Sequence, residues 1–208
     1  MLARWLPPVG RCPGCGVTIR VMQASQYLAD HFLIAMPSLA DPHFVRGVTL
    51  VCQHDEHGAM GLVINHLSEY TLGEVLKQMD IDEAAPALSR QAVLVGGPVQ
   101  PERGFVLHDD PRDFGSTLRF GRGLAVSTSR EILKQLAKGE GPTNFLMTLG
   151  YAGWSAGQLE EEISLNAWLT VPADPAIFFD TPLELRWQAA ARSLGIDISG
   201  MSDTVGHA

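Results

Sequence analysis

The stretch VTLVCQHDEHGAMGLVIN, Val48 to Asn65, has a period of two in its apolar residues on both sides of a polar centre. Because successive side chains of a strand point to opposite faces, this period predicts two β-strands with one face toward a core. The segment HDEHG, residues 54–58, is typical of the turn between them. The reverse face of the second strand carries the small residues Ala59 and Gly61, which would let another layer approach closely. The stretch therefore predicts a β-hairpin.

Further segments on both sides of this hairpin also have the composition of strands. One pair, residues 116–120 and 123–127, is separated by Gly121-Arg122, a turn that predicts a second hairpin. Strands are expected at HFLIAM (31–36), AVLVGG (92–97), GFVLH (104–108), STLRF (116–120), GLAVS (123–127), FLMTLG (145–150), AWLTV (167–171) and AIFF (176–179).

Helices are predicted where a Ser or Thr is followed three residues later by Glu or Gln, the capping box that satisfies two free N–H groups. An apolar stripe at helical spacing follows each such pair. The pairs are Thr71 with Glu74, Thr128 with Glu131, Ser155 with Gln158 and Thr181 with Glu184. About four helices are expected, near 72–79, 129–138, 156–165 and 182–194. Because they fall between hairpins rather than alternating with single strands, the fold class is α+β with a largely antiparallel sheet.

Composition and charge limit the possible partners. The chain of 208 residues is 46% hydrophobic and 18% charged, and its net charge is -8. No two Lys or Arg residues are adjacent, and the predicted helices are separated by strands, so no helix-turn-helix is expected. Direct nucleic-acid binding is therefore disfavoured. No apolar run approaches the ~18 residues of a transmembrane helix, so no membrane segment is predicted.

The N-terminal residues 1–21 are predicted to be a flexible extension, and residues 22–208 to be a single domain, with Met22 a candidate natural start. The extension contains Cys12 and Cys15, but a zinc site would need a second pair of ligands. With Cys52 the cysteine count is odd, which predicts no disulfide framework and a cytoplasmic location.

Glycines 150, 153 and 157 precede the third predicted helix and raise the question of a phosphate cradle. Their spacing matches neither G-x-G-x-x-G nor a P-loop, and no lysine follows. Three glutamates, residues 160–162, would oppose an anion at that helix. A strand-to-helix turn closed by Ser155 is favoured, although Tyr151 and Trp154 could still line a shallow ligand crevice.

The chain contains residue types used in catalysis and metal binding, but no complete motif. His54 and His57, with acidic residues between them, are potential metal ligands, yet a polar, solvated turn is the favoured interpretation. A site completed by His66 or His108 stays possible. Cys52 shares an apolar face and is interpreted as a core thiol. Since G-x-S-x-G is also missing, no catalytic residue, metal or cofactor is predicted.

Several blocks in order, FLIAMPSLADPHF, GAMGLVIN, GGPVQPERGFVLH, TSREIL, LGYAGWSAGQLEEEI with NAWL, and GHA, resemble the AlgH/YqgE family of bacterial proteins. The resemblance runs from about Tyr27 to the last residue. It implies an α+β fold in which a bent antiparallel sheet forms a pseudo-barrel with helices packed around it, and a cytoplasmic protein. Members are often labelled transcriptional regulators, from a proposed role in alginate production. The resemblance carries over no catalytic residues.

The leading hypothesis is a non-enzymatic cytosolic regulatory or binding protein that acts through a protein partner or a small-molecule ligand. Each candidate contact residue could instead serve only the fold, by ending a strand, pairing at the surface, packing in the core or capping a helix. The candidates are Asn65, Arg103, Tyr151, Trp154 and Gln158. The alternative is an enzyme, such as a hydrolase, whose carboxylates and histidines converge only in the fold.

Overall fold

The computed structural model describes residues 27–81 and 85–195. Within them, ten strands form one sheet. They are β1 His31–Ala35, β2 Val48–Asp55, β3 Gly58–Val63, β4 Leu67–Thr71, β5 Ala92–Val95, β6 Val99–His108, β7 Thr117–Phe120, β8 Leu124–Ser127, β9 Phe145–Ser155 and β10 Trp168–Pro172. The helices are α1 Leu72–Gln78, α2 Pro86–Ser89, α3 Arg130–Ala137, α4 Gln158–Ser164, α5 Pro175–Phe179 and α6 Arg186–Arg192, with a 3₁₀ turn at Leu183–Leu185.

The predicted extension, with Cys12 and Cys15, lies outside the described residues, as does the closing GHA. Among the helices that the structure does describe, none is long and apolar enough to cross a membrane.

The sheet is largely antiparallel, as predicted. Its strands follow the order β10-β1-β2-β3-β9-β6-β8-β7 with antiparallel neighbours, and β4 pairs with β5, which joins β9 in parallel. Strand β9 is central because it is shared between two parts of the sheet. Its residues 145–149 and Tyr151 pair with β6, whereas residues 152–155 pair with β3. Both predicted hairpins, β2–β3 and β7–β8, are confirmed.

The sheet is bent into the pseudo-barrel that the family resemblance implies. Phe32 of β1 and Val126 of β8 belong to one buried cluster although their strands are far apart in the sheet order. Strands β2 and β7, also distant in that order, contact each other directly, which requires the sheet to curl, and Phe178 of α5 and Ala190 of α6 complete this cluster. The other face of β6 and β9 packs under α1 and α3 in a second cluster, which includes Val106.

Gly150, one of the glycines that raised the question of a phosphate cradle, serves the strand instead. Gly150 lies inside β9 with φ +71°, and a Cβ there would come within 2.4 Å of the Gly97 carbonyl oxygen. A Cβ on Gly97 would likewise lie 2.3 Å from the Tyr151 backbone. Only glycine permits this crossing. The predicted strand-to-helix turn over residues 150–157 is therefore wrong in extent, because β9 continues to Ser155.

All four predicted helices are confirmed as α1, α3, α4 and α6. The capping box at the start of α1 is also confirmed. The Thr71 hydroxyl accepts a hydrogen bond from the Glu74 N–H, and the Glu74 carboxylate accepts one from the Thr71 N–H at 2.7 Å. The Thr71 hydroxyl also donates to the Glu74 carboxylate at 2.9 Å, and the hydrogen bonds from the Thr71 backbone N–H and hydroxyl lower the pKa of Glu74. The box stabilises the first turn because both otherwise free N–H groups find a partner.

The other three predicted caps are wrong. Helix α3 is capped by Ser129, whose hydroxyl accepts from Ile132 N–H, rather than by Thr128. Helix α4 starts after Gly157 at φ +78°, and Ser155 only donates its N–H to the Gln158 side chain. The Thr181 hydroxyl donates to a carbonyl of α5, and a 3₁₀ turn precedes α6. The strand ends and turns set where each helix can begin, so the motif alone misplaced these starts.

The predicted strand AIFF is also wrong, because residues 175–179 form α5. Asp174 accepts a hydrogen bond from Ala176 N–H at 3.0 Å, and Pro175 occupies the first helical position. These are helix-start signals, and they outweigh a short apolar run. Strand β4 and helix α2 were not predicted. Both are short, and neither has a buried apolar stripe that would identify it from sequence.

The assignment of Ser129 as the cap of α3 predicts a specific stability difference. Ser129→Ala should lower the free energy of unfolding by about 1–2 kcal/mol, since it removes the cap and a hydrogen bond to the Phe114 carbonyl. Thr128→Ala, the matched control, removes no cap and loses only an exposed hydrogen bond from Arg103, so it should lower the free energy of unfolding by less than about 1 kcal/mol. Urea unfolding followed by circular dichroism measures both. Equal losses would contradict the assignment.

Candidate functional site

A cavity of about 810 Å³ opens between the β2–β3 hairpin and the β7–β8 hairpin. We call it the Arg103 cavity. Its walls come from strands that are distant in sequence, and its polar and apolar side chains are mixed. The lining includes Gln53, Asp55, His57, Met60, Gln100, Arg103, Phe105, Thr117, Leu118, Val126, Thr128, Tyr151 and Gly153. Its size falls in the range of small-molecule sites.

Arg103 carries a positive charge into this cavity. One guanidinium nitrogen donates to Gln100 Oε1 at 3.3 Å and another to Thr128 Oγ1 at 3.1 Å. The guanidinium also lies over the Phe105 ring, 5.6 Å from its centre, in a cation–π contact. Within the described parts of the chain, no carboxylate forms an ion pair with Arg103. The side chain is thus held by neutral groups, and its charge is left uncompensated.

Tyr151 provides an aromatic wall beside Arg103. Its ring lies 5.4 Å from the Phe105 ring at an interplanar angle of 60°. Its hydroxyl makes no hydrogen bond with any residue that the structure describes. Gly153, two residues further along β9, leaves open the space next to this ring, because a Cβ there would approach the Tyr151 ring to 3.2 Å. Tyr151 therefore offers both a flat surface and a free hydroxyl.

Asp55 places a negative charge at the hairpin side of the same cavity. Gln53 donates a hydrogen bond to its carboxylate at 2.8 Å, and the backbone N–H of His57 donates another at 2.8 Å. The bond from Gln53, followed by that from His57, lowers the pKa of Asp55. The carboxylate is therefore ionised at neutral pH, so the cavity has a positive side and a negative side.

The Trp154 and Gln158 side chains are bound to a structural cluster. The Trp154 indole N–H donates to Glu162 Oε2 at 2.9 Å, and the Trp168 indole N–H donates to the same oxygen at 2.8 Å. Gln158 donates to the other Glu162 oxygen at 3.0 Å. Phe44 stacks on Trp154 and contacts Trp168 edge-on. Although Trp154 also borders the Arg103 cavity, its polar atom faces this cluster, which fastens α4 to the sheet.

Asn65 does not line the Arg103 cavity. Its Oδ1 accepts a hydrogen bond from Val48 N–H at 2.7 Å, and its Nδ2 donates to the Arg46 carbonyl at 2.8 Å. Both ends of the amide are therefore used to join the end of β3 to the start of β2. Among the predicted contact residues, the structure brings Arg103, Tyr151 and the edge of Trp154 together, whereas Asn65 and Gln158 bind backbone or neighbouring side chains.

The interpretation of His54 as part of a solvated turn is wrong, because His54 is buried at 6% exposure on β2. Its Nδ1 accepts a hydrogen bond from Leu28 N–H at 2.9 Å, so Nε2 carries the hydrogen and donates to Glu160 Oε1 at 2.9 Å. His57 remains exposed at the turn. His54 therefore links the start of the described chain, the hairpin and α4.

Neither His66 nor His108 joins His54. His66 contacts the Val45 carbonyl, and His108 is buried beside Ser127 at 2.9 Å. Burial lowers the pKa of both imidazoles. In the described ranges no three His, Cys, Asp or Glu side chains are grouped as metal ligands would be. Cys52 is confirmed as a core thiol, at 1% exposure, and burial raises its pKa far above its usual value.

Sequence reasoning missed Phe105 and Thr128 as partners of Arg103. A signal existed for Phe105, which lies two residues after Arg103 on β6 and therefore on the same side of an extended strand. No signal existed for Thr128, because the β7–β8 hairpin brings it to Arg103 from 25 residues away.

The bent, largely antiparallel sheet with helices packed around it defines an α+β half-barrel protein. The profile of the AlgH-like family (DUF179) matches residues 32–199. The chain belongs to this AlgH-like family, as the sequence blocks implied.

Similar proteins come from several bacteria. A UPF0301 protein of Stenotrophomonas maltophilia is 58% identical over 180 residues, which is 86% of this chain and 96% of the relative. A UPF0301 protein of Xanthomonas axonopodis pv. citri is 57% identical over 181 residues, 87% of this chain and 96% of the relative.

Two solved structures share the fold. The solution structure of the AlgH protein from Pseudomonas aeruginosa is 53% identical, covers 89% of this chain and 98% of its own, and superposes with a TM-score of 0.74. A crystal structure of a Corynebacterium diphtheriae protein covers 83% of this chain and 90% of its own, with a TM-score of 0.65. Its identity of 21% shows likeness of fold alone.

The Glu162 cluster predicts a stability effect that separates neighbouring glutamates. Glu162→Ala should lower the free energy of unfolding by about 2–3 kcal/mol, because two indole N–H groups lose their acceptor. Glu161→Ala changes the helix propensity of α4 by the same amount but removes none of these hydrogen bonds. It should change stability by less than about 0.5 kcal/mol. Urea unfolding of both variants is the measurement, and similar losses would refute the role of the cluster.

Proposed function

We propose that this chain is a cytoplasmic, non-enzymatic regulatory protein that binds a small anionic molecule in the Arg103 cavity. The observation that carries the proposal is the uncompensated guanidinium of Arg103, which is oriented by Gln100, Thr128 and Phe105. A guanidinium held in this way is partly preorganised for a carboxylate or phosphate oxygen, so binding requires little further ordering.

The charge pattern of the cavity supports one orientation of such a ligand. An anionic group favours the Arg103 side, because Asp55 is ionised and repels negative charge from the hairpin side. A ring placed next to the anionic group would contact Tyr151 and Phe105, whose tilted arrangement leaves an aromatic surface. The free Tyr151 hydroxyl can donate to or accept from a polar substituent. An aromatic carboxylate fits these three features.

The position of the cavity supports a regulatory role. Its opposite walls are two hairpins that connect different parts of the bent sheet. A ligand that contacts both hairpins would favour one spacing between them, and so could change the surface offered to a protein partner. With a net charge of -8 and scattered cations, action on transcription would be indirect, through that partner.

A hydrolase is the second candidate, and one hydrogen-bonded chain favours it. His108 Nε2 lies 2.9 Å from Ser127 Oγ, which lies 2.7 Å from the hydroxyl of Thr117 at the cavity wall. Such a chain could move a proton from the cavity to a buried imidazole. The pair His54–Glu160 does not line the Arg103 cavity. The test is the rate of p-nitrophenyl acetate hydrolysis. A rate above background in the unmodified chain that is lost in Ser127→Ala would favour the enzyme. Rates equal to the uncatalysed background in both proteins would exclude this relay.

The binding proposal predicts that salicylate, used as a probe, binds the full chain and raises its melting temperature. Arg103→Gln should weaken binding about tenfold to hundredfold, since it removes a charge-assisted hydrogen bond. Tyr151→Phe should weaken it about twofold to tenfold through loss of the hydroxyl. Isothermal titration calorimetry measures the dissociation constants.

Arg90→Gln is the matched control, because Arg90 is exposed and lies outside the Arg103 cavity. Its affinity for salicylate should equal that of the unmodified chain. Wild-type affinity in Arg103→Gln, or no binding of salicylate by the unmodified chain, would contradict the proposed orientation.

A further inference from the structure

A second cavity of about 660 Å³ adjoins Arg103 on the side of α1 and α3. We call it the helix-side cavity. Six apolar side chains from α1 and its C-cap, α3, β6 and β9 line it: Val75, Met79, Val106, Leu133, Met147 and Leu149. Its volume falls in the range of small-molecule sites. It therefore has room for an apolar group from outside the chain.

Arg103 and Thr128 line both cavities. This is possible because β6 leaves its regular pairing with β9 between Val99 and Gly104, so Arg103 lies in an irregular stretch of the strand. Gln100, at the start of this stretch, has φ +50°, a left-handed conformation that is uncommon outside glycine. The strand irregularity thus places one guanidinium at the junction of a polar cavity and an apolar one.

The charged groups around the helix-side cavity are Arg103, Arg130 and Glu102. Arg130 donates to the backbone carbonyls of Met79 and Asp80, the latter at 3.0 Å. Within residues 27–81 and 85–195, neither arginine forms an ion pair with a carboxylate. The side chains that line this cavity therefore carry a net positive charge beside a group of apolar residues.

We infer that the helix-side cavity binds the alkyl chain of a linear carboxylate, with the carboxylate paired to Arg103. The inference rests on the proposed anion site at Arg103 and adds the chemical class of the chain attached to it. A bound alkyl chain would bury the apolar surface of the cavity lining, which favours binding. The positive charge of Arg103 at the junction complements the carboxylate. Met79, at 39% exposure, and Tyr70, at 46%, form an apolar rim that such a chain would cover.

A chain-length series tests the inference on the full chain by calorimetry. Hexanoate, octanoate and decanoate should bind with affinity rising about fourfold per added methylene while the chain fits the cavity. The matching 1-alkanols should bind about tenfold or more weakly, since they lack the charge that pairs with Arg103. Arg103→Gln should remove the preference for the carboxylate over the alkanol. A dissociation constant that does not change with chain length would overturn the inference.

Two variants of α1 test the location. Gln78 is exposed and lines the helix-side cavity, so Gln78→Trp should narrow it and weaken decanoate binding at least about tenfold. Lys77 is exposed on the same helix but lines neither of the two cavities. The affinity of Lys77→Trp for decanoate should therefore equal that of the unmodified chain. Because both positions are exposed, the fold should be retained. Equal affinities in the two variants would overturn the location.

Tyr151→Phe separates this inference from the proposed function. Of the two cavities, Tyr151 lines only the Arg103 cavity. The variant should therefore have a lower affinity for salicylate and an unchanged affinity for decanoate. If the chain binds salicylate but not decanoate, the inference that the helix-side cavity holds an alkyl chain is refuted, and the proposed function stands. Decanoate binding without salicylate binding would refute the aromatic ligand and support the carboxylate at Arg103.

Discussion

The close crossing of Gly97 and Gly150 is the constraint on which the rest of the structure depends. Just after this point, between Tyr151 and Ala152, β9 passes from its pairing with β6 to its pairing with β3, and a Cβ on either glycine would overlap the opposite backbone. The left-handed φ of Gly150 turns the strand there. Because one strand serves both parts of the sheet, the turn bends the whole sheet and brings the β2–β3 and β7–β8 hairpins to the same cavity.

The bend also explains why the two cavities have different chemistry. Side chains of β6 alternate between the inside of the bend, where Phe105 packs, and the face under the helices, where Val106 packs. Arg103 lies where that alternation is interrupted and so reaches both cavities. An uncompensated cation at the junction of a mixed cavity and an apolar one is a site suited to recognition.

Periodic segments of the sequence predicted most of the fold, and short or irregular ones did not. The hairpin over Val48–Asp55 and Gly58–Val63 was predictable because a period of two over that length has few other structural solutions. Residues 175–179 were misassigned, since a run of a few apolar residues does not separate strand from helix. For the site, Arg103 and Tyr151 were predicted and do meet in one cavity, whereas Asn65 bonds to backbone far along the sheet.

By itself the sequence determined the α+β class, the two hairpins, the four main helices and the family, because these depend on local periodicity and on ordered blocks along the chain. Only the tertiary structure decided that Gly150 lies within a strand, that His54 is buried against Glu160, and that Thr128 meets Arg103. The physical reason is that burial and side-chain hydrogen bonds depend on which distant backbones come together, and a linear pattern does not contain those distances.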